Sequence, residues 1–371
     1  MRITGLHVQI FAPRPNAYQE TPREGASPTR QNGIGIILTD EGIEGVVSST
    51  SELLRWLARL WRDAAAELAG QDPFDRERIA RLLSRRFGWP QRVLGVLDCA
   101  LWDIAGKALG LPVYKLLGAA RDRVRAYAST VHHATDERYL ETALASVERG
   151  FQAVKLHPYG AVADDIRLCG AVRQAVGDGV TLMMDALTHP NPVPSYDRAD
   201  ALRAGRALEE LNFWWFEDPL PKTDLDGLAE LARSCQAVQV RMSDRVEHIS
   251  EYVDMLRRGC LDIMAGPPSF GITELMKLAR LAEAHGLRME PHSFGPIGGG
   301  AAVVHVLLAI HNADYYEVAV PEGCLDTAIY PGVYLDPVRV GPDGYLSAPT
   351  KPGLGFEIDR HEADRVTVER L

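Results

Sequence analysis

The sequence predicts a large parallel α/β barrel that follows a smaller mixed α+β domain. With 371 residues, the chain is longer than one ordinary domain. From about Val124 onward, short β-rich runs alternate with amphipathic runs, which is the pattern of a parallel sheet with helices between its strands. Polar side chains follow seven of the eight β-rich runs. This regularity favours a barrel, because barrel enzymes place their chemistry at the C-terminal ends of the strands.

The first part of the chain has the features of a small mixed domain. Ile3–Phe11 alternates in polarity and predicts a strand, and residues 33–38 and 44–48 flank the turn 40–42 of a hairpin. Residues 13–31 are rich in Pro, Asn, Ser and Thr and predict a long loop of the kind that often covers a site. Helices are predicted at residues 51–69, 75–86 and 92–109, the last stopped by Gly110 and Pro112.

Eight strands follow with helical patterns between them. The strands are predicted at residues 124–129, 153–157, 181–185, 214–217, 238–243, 261–264, 288–291 and 315–318. Helices are predicted at residues 137–150, 164–176, 198–211 and 272–285, among others. From about Tyr330 the alternation ends, and the Pro/Gly-rich tail is expected to return to the first domain. The predicted boundaries are 1–120, 121–329 and 330–371.

Composition excludes several classes of partner. The formal net charge of −10 argues against nucleic acid, which requires clustered positive charge. The apolar runs are too short to cross a bilayer, and the first residues do not resemble a signal peptide. Five scattered cysteines without a CxxC pair suit reduced thiols. We therefore expect a cytoplasmic protein that binds neither nucleic acid nor a membrane.

Three acidic residues end three consecutive predicted strands. Asp185, Glu217 and Asp244 are spaced by about 30 residues, the length of one βα unit. Neighbouring strand ends bring the three carboxylates together, where they would repel each other without a cation. A hard ion with oxygen ligands fits them, with Mg²⁺ as the first choice and Mn²⁺ as the alternative. Asp244 has a competing interpretation as the N-cap of the helix that follows it.

At this point the chain resembles the enolase superfamily, and within it the mandelate racemase and sugar-acid dehydratase branch. The motifs that carry the resemblance are DCALWDIAGK at 98–107, LLG at 116–118, VKLH at 154–157, MDA at 184–186, FEDP at 216–219, PHS at 291–293 and PGLGFEID at 352–359. The resemblance implies a (β/α)7β barrel with an α+β capping domain formed by the N-terminal part and the C-terminal tail. It also implies a homo-oligomer that acts on a small carboxylate substrate.

The resemblance implies Mg²⁺ held by Asp185, Glu217 and Asp244. The family more often has Glu at the third of these positions, so Asp244 is a shorter ligand, and Glu247 is an alternative. A metal bound to a substrate carboxylate stabilises the charge that forms when the neighbouring carbon loses a proton. Sites of the enolase type combine a Lys or His base with Mg²⁺.

Lys155 and His157 are the first candidates for the acid–base groups. Strand alternation places both on one face, toward the barrel mouth. In the family the second residue of a Lys-x-Lys pair is usually the base and the first lowers its pKa. Here His157 holds the second position, and an imidazole acts as a base near neutrality with little tuning. The alternative is that His157, which precedes Pro158, is only a loop residue.

His292 and Glu317 follow the seventh and eighth strands. In the racemase pattern this histidine pairs with an Asp at the end of the sixth strand, but this chain has Pro267 there. His292 is therefore expected to act as an acid toward a leaving hydroxyl or as a hydrogen-bond partner of the substrate. The resemblance implies that Glu317 contacts the substrate carboxylate, and its alternative role is an ion pair with Lys155.

Three further residues are assigned to substrate binding by position: His132 and His133 at the end of the first strand, and Tyr18 in the long loop. The favoured reaction is dehydration of an aldonate or aldarate to a 2-keto-3-deoxy acid. The alternative is cycloisomerisation of a sugar-acid lactone or anhydro sugar acid through the same enolate. A racemase or a catalytically silent scaffold is less favoured, the racemase because His292 lacks its Asp partner.

Overall fold

The structure, a computed structural model, describes residues 1–15, 29–186, 196–243, 246–293, 297–321, 332–335 and 339–371. The strands in these residues are β1 (Ile3–Phe11), β2 (Arg14–Pro15), β3 (Thr29–Arg30), β4 (Asn32–Thr39), β5 (Gly45–Thr50), β6 (Arg123–Thr130), β7 (Ala153–Leu156), β8 (Thr181–Asp185), β9 (Phe213–Glu217), β10 (Gln239–Met242), β11 (Ile263–Met264), β12 (Arg288–Met289), β13 (Tyr315–Val320), β14 (Tyr345–Ser347) and β15 (Thr367–Arg370). The helices are α1 (Ser51–Leu68), α2 (Arg76–Phe87), α3 (Gln91–Leu109), α4 (Val113–Leu116), α5 (Asp136–Glu148), α6 (Val162–Val176), α7 (Arg198–Glu210), α8 (Leu225–Ser234), α9 (Ile249–Arg258), α10 (Gly271–Ala284), α11 (Ile297–Ala309) and α12 (Arg360–Val366). Among the residues described, no helix is long and apolar enough to cross a membrane.

The N-terminal domain is a four-stranded antiparallel sheet covered by helices. Its strand order is β15-β1-β4-β5, and the predicted hairpin joins β4 to β5. The helices α1, α2 and α3 agree with the predicted ranges within two residues at each end. Helix α3 ends at Gly110, whose φ of 66° is the left-handed conformation that glycine adopts without a Cβ penalty. The mixed α+β character of this domain is therefore confirmed.

The second domain is a parallel sheet of eight strands curled into a barrel. Its order is β12-β11-β10-β9-β8-β7-β6-β13, and each of the eight predicted strands corresponds to one of them. Seven helices, α5 to α11, alternate with the eight strands, which gives the (β/α)7β arrangement. Antiparallel β14 pairs with residues 123–125 at the start of β6. The C-terminal ends of the eight strands, seven of which were assigned polar side chains, therefore face one mouth.

Side-chain contacts join the seventh and eighth strands. The N–H groups of Asp314 and Tyr315 donate to the two carboxylate oxygens of Glu290, at 2.8 and 3.1 Å. The N–H of Glu317 donates to Ser293 Oγ at 2.9 Å, and the N–H of Met289 donates to the carbonyl of Asn312 at 2.8 Å. These bonds satisfy backbone N–H groups in and next to both strands, where β12 is only two residues long.

Helix α3 of the first domain packs against α10 of the barrel. A Cβ on Gly95 would collide with the carbonyl oxygen of Ser269, so glycine is what permits this close approach. One turn further along α3, Asp98 accepts hydrogen bonds from both the N–H and the hydroxyl of Thr273, at 2.9 and 2.5 Å. Asp98 therefore caps the first turn of α10 from the other domain.

The C-terminal tail returns to the first domain. Its last strand, β15, pairs with β1, and Asp103 of α3 joins three parts of the chain. Asp103 accepts the N–H of Val46 from β5 and the N–H of Leu354 from the tail, both at 2.8 Å, and pairs with Lys107 Nζ at 2.5 Å. The expected return of the tail is confirmed in the residues described, whereas the boundaries at 120 and 330 stay predictions.

The Asp103→Ala variant is expected to lower the free energy of unfolding by about 2 kcal/mol. Two buried backbone N–H groups lose their acceptor, and each such loss typically costs about 1–3 kcal/mol, while the exposed end of Lys107 adds little. Urea unfolding measures the change. Asp63→Ala, at an exposed position of α1, is the control and should stay within about 0.5 kcal/mol of the unmodified chain. Equal effects of the two substitutions would contradict the role of Asp103.

Candidate active site at the barrel mouth

Carboxylates from neighbouring strands meet at the C-terminal mouth of the barrel. Asp185 and Glu217 end β8 and β9 and lie side by side in the register of those two strands. With Asp218 they offer carboxylate oxygens that all lie within 4.8 Å of one another. All three residues are buried. Asp244, the third ligand predicted from the sequence, lies outside the described residues, and the alternative Glu247 is exposed.

Lys155 lies at the centre of this cluster. Its Nζ is 2.8 Å from Glu317 Oε1, 3.0 Å from Glu217 Oε2 and 3.6 Å from Asp185 Oδ2, and its side chain is fully buried. Burial acts to lower the pKa of Lys155, but Glu217 and Glu317 outweigh burial and hold that pKa well above its usual value. Lys155 is therefore an ammonium group that neutralises carboxylates, and it is not a base near neutral pH.

The ring of His157 is fixed by Thr130 at the end of the first barrel strand. His157 Nδ1 lies 2.7 Å from the carbonyl oxygen of Thr130, and because a carbonyl only accepts, Nδ1 carries the hydrogen. The backbone N–H of His157 donates to Thr130 Oγ1 at 3.2 Å, and the Tyr139 hydroxyl donates to the His157 carbonyl. His157 Nε2 then faces the cluster, 3.2 Å from Asp185 Oδ2.

Burial, followed by the charge of Lys155, lowers the pKa of His157 to about 4. The imidazole is therefore neutral at physiological pH, with its lone pair on Nε2. The role of His157 as the base stays a prediction.

Glu317 occupies the space between Lys155 and His292. Its Oε1 pairs with Lys155, while its Oε2 lies 3.7 Å from His292 Nε2 and accepts the N–H of Ser293 at 3.3 Å. Burial acts to raise the pKa of Glu317, but Lys155 and His292 outweigh it and hold the pKa well below its usual value. The ion pair with Lys155, the alternative role considered for Glu317 from the sequence, is thus present in the structure.

Two buried charged residues were not anticipated from the sequence. Arg241 on β10 forms an ion pair with Glu217 Oε1, donates from Nη2 to the carbonyl of Glu290 at 2.9 Å and lies over the ring of Trp215. Asp218, the second residue, follows Glu217 directly. An arginine inside the predicted strand 238–243 was the available signal, because a charged side chain within a barrel strand needs a buried partner.

Arg241 has a direct effect on the ionisation of Glu217. Burial would raise the pKa of Glu217, but Arg241 and then Lys155 outweigh burial and lower that pKa to about 2. Glu217 is therefore a carboxylate throughout the physiological range, with one oxygen toward Arg241 and the other toward Lys155.

The remaining predicted residues differ in position. The ring of His132 lies 5.4 Å from that of His157, next to the cluster. His133 Nε2 instead lies 2.8 Å from the hydroxyl of Thr142 on α5, and its ring packs on Tyr139. Tyr18 lies outside the described residues. A substrate contact by any of these three stays a prediction.

The donor set fits a divalent cation. Buried within the described part of the mouth are four carboxylates, from Asp185, Glu217, Asp218 and Glu317, and two permanent cations, from Lys155 and Arg241. Two negative charges therefore remain without compensation, and such a deficit in a buried site is costly. One divalent ion with oxygen ligands would balance it, and Mg²⁺ and Mn²⁺ both prefer such ligands.

Comparison with known proteins places the chain in a family. The family described as "Enolase C-terminal domain-like" matches residues 138–363, and the "Mandelate racemase / muconate lactonizing enzyme, N-terminal domain" matches residues 9–118. The L-talarate/galactarate dehydratase of Salmonella typhimurium is 32% identical over 70% of this chain and 67% of its own length. The D-galactarolactone cycloisomerase of Agrobacterium fabrum is 29% identical over 97% of both chains.

The solved structures agree with the sequence relatives. The D-glucarate dehydratase from Agrobacterium tumefaciens, complexed with magnesium, superimposes with a TM-score of 0.85 and 30% identity over the whole of both chains. The capping domain, the (β/α)7β barrel and the two family matches all lead to one assignment. The chain belongs to the enolase superfamily, in its mandelate racemase / muconate lactonizing enzyme family.

Proposed function

We propose that this chain is a divalent-metal-dependent lyase that dehydrates a sugar acid. It removes the α-proton of an aldonate or aldarate and eliminates the β-hydroxyl, which gives a 2-keto-3-deoxy acid. The observation that carries the proposal is the neutral His157, whose Nε2 faces a buried cluster of carboxylates and Lys155. The relatives named as sugar-acid dehydratases support the substrate class.

His157 is the proposed base. The carbonyl of Thr130 holds the hydrogen on Nδ1, so the lone pair that would accept a proton from the substrate is on Nε2. A base must lie within hydrogen-bond reach of the proton that it removes, and the mouth side of His157 is where a substrate would be held. Lys155 is the less suitable candidate for this role, because three carboxylates within 3.6 Å of its Nζ favour the protonated form.

Lys155 has the proposed role of stabilising negative charge. Removing a proton next to a carboxylate places a second charge on that carboxylate, and a buried ammonium group favours such charge much more than water does. Asp185, Glu217 and Asp244 would hold the metal, with Mg²⁺ first and Mn²⁺ as the alternative. When bound, that ion supplies Lewis-acid stabilisation of the same developing charge.

His292 is the proposed acid for the leaving hydroxyl. Its Nε2 lies 3.7 Å from Oε2 of the Glu317 carboxylate. No carboxylate is available at the end of the sixth strand, where Gly266 and Pro267 stand. This asymmetry between His157 and His292 suits elimination, in which one group accepts a proton and the other donates one, better than racemisation.

Cycloisomerisation is the second candidate. The cycloisomerase of Agrobacterium fabrum matches 97% of this chain, a larger share than the 70% that the dehydratase of Salmonella typhimurium matches. The same base would remove the α-proton of a lactone or an anhydro sugar acid, and a ring oxygen would leave in place of a hydroxyl. His132, His133 and Tyr18 are proposed to contact the substrate hydroxyls that lie far from the carboxylate. These contacts would determine whether a hydroxyl or a ring oxygen is placed to leave.

Proton NMR in D2O tests the proposal directly. The chain is incubated with Mg²⁺ and a panel of aldonates, aldarates and their lactones. Loss of water with a new keto product that carries deuterium at C3 is the expected result, because the α-carbon becomes the keto carbon and the enol takes up deuterium at the next carbon. Ring opening without loss of water would favour the cycloisomerase, and exchange with conversion to the α-epimer and no keto product would indicate a racemase. Absence of exchange with every compound, together with absence of bound metal, would contradict both candidate functions.

A further inference from the structure

We propose that Asp218 is a positioning residue, which acts on the metal site through Ser243 and does not itself bind the metal. Asp218 is the carboxylate that accompanies Asp185 and Glu217 in the buried cluster, so ligation is the obvious alternative. This inference rests on the proposed function, because it concerns how residues at the mouth of the barrel hold the ligands of a divalent ion in place.

Both oxygens of Asp218 are engaged by one residue. The N–H of Ser243 donates to Oδ1 at 3.0 Å, and the hydroxyl of Ser243 donates to Oδ2 at 2.7 Å. Ser243 is itself 2% exposed, so this pair of bonds is shielded from water. A carboxylate that accepts two buried hydrogen bonds loses them when it turns toward a metal, and this loss disfavours ligation.

The backbone explains why Asp218 points toward β10. The ladder of β9 and β10 reaches Glu217 opposite Arg241, and Asp218 then donates its N–H to the Arg241 carbonyl at 3.0 Å. Asp218 has a φ of 43°, a left-handed conformation that Asp and Asn tolerate better than most residues. The hydrogen bonds between Asp218 and Ser243 thereby join β9 and β10 beyond the last pair of their backbone ladder.

This contact has a consequence for the metal site. Ser243 immediately precedes Asp244, the predicted third ligand, in the sequence. Holding Ser243 at two points fixes the end of the fifth barrel strand relative to Glu217 at the end of the fourth. Residues that orient ligands in this way typically change metal affinity about 10-fold to 100-fold when they are removed.

Mn²⁺ binding to the full chain without substrate, followed by calorimetry and by electron paramagnetic resonance, tests the proposal. Asp218→Asn keeps hydrogen-bonding capacity toward Ser243 and tolerates the left-handed backbone, so its Kd should stay within about threefold of the unmodified chain. Asp218→Ala should weaken binding about 10-fold to 100-fold. A loss of more than 100-fold in Asp218→Asn would show that the charged carboxylate is a ligand and would overturn the proposal.

A double-mutant cycle with Ser243→Ala gives the second criterion. If Asp218 acts through Ser243, the serine substitution weakens Mn²⁺ binding in the unmodified chain and has little further effect in Asp218→Ala. Additive effects would overturn the proposal. Absence of Mn²⁺ binding by the unmodified chain would contradict the proposed function as well, so the two failures are distinguishable.

Discussion

The His157→Ala variant is expected to lose α-proton exchange and turnover by about 10³-fold to 10⁴-fold, the upper part of the range for a general base. The physical reason is local. Thr130 fixes the imidazole so that only Nε2 can accept a proton, and Lys155 cannot replace it because it is held as an ammonium ion. The measurement is the rate at which the α-proton signal is lost from the substrate that the NMR panel identifies.

Two controls separate a chemical role of His157 from a structural one. His285→Ala removes an exposed imidazole at the end of α10 and should leave the exchange rate unchanged. Added imidazole should partly restore exchange in His157→Ala, since it can enter the space that the ring vacates, whereas it should not rescue a misfolded chain. Exchange that persists undiminished in His157→Ala would show that another group is the base.

The fold was predictable because its signals are periodic. The eight barrel strands were located within two residues at most ends because buried parallel strands are short apolar runs between helices. The helices α8 and α9 were not singled out, since ten residues provide few turns in which to recognise a helical period. The connection between β12 and β13 through the Glu290 carboxylate was not predicted either, because the sequence does not show which backbone N–H groups a buried carboxylate accepts.

The location of the site residues was more predictable from the sequence than the ion pairs that they form with each other. Strand-end placement identified Lys155, His157, Asp185, Glu217 and Glu317, because a parallel barrel brings all strand ends to one mouth. The sequence left open whether Glu317 binds substrate or pairs with Lys155, and the structure shows the ion pair. Arg241 was not predicted, because the site residues were predicted from strand ends and Arg241 lies within β10. The homo-oligomer and the cytoplasmic location stay predictions.

The Arg241→Met variant is expected to lower the free energy of unfolding by about 3 kcal/mol when the metal is removed with EDTA. Arg241 and Glu217 are both fully buried, and removal of one partner of a buried ion pair leaves an uncompensated charge that typically costs about 3–5 kcal/mol. The lower end applies because Lys155 still pairs with the other oxygen of Glu217. Urea unfolding followed by circular dichroism measures the change.

A second substitution shows whether the loss comes from the charge of Glu217. The double variant Arg241→Met/Glu217→Gln has no uncompensated charge at this pair, so it should recover most of the lost stability. A double variant as unstable as the sum of the two single variants would show that Arg241 acts through its packing on Trp215 and its bond to Glu290 instead.

Mg²⁺ connects this stability measurement to the proposed function. An ion that binds only the folded chain stabilises it by about 2.7 kcal/mol at 100 times its Kd. In Arg241→Met the cluster has three uncompensated negative charges in place of two, so we expect a larger stabilisation by saturating Mg²⁺ than in the unmodified chain. In the double variant the ion would lose the Glu217 carboxylate and should stabilise least. If Mg²⁺ stabilised the double variant as much as the unmodified chain, Glu217 would not be a ligand, and the metal would have to be held by other carboxylates.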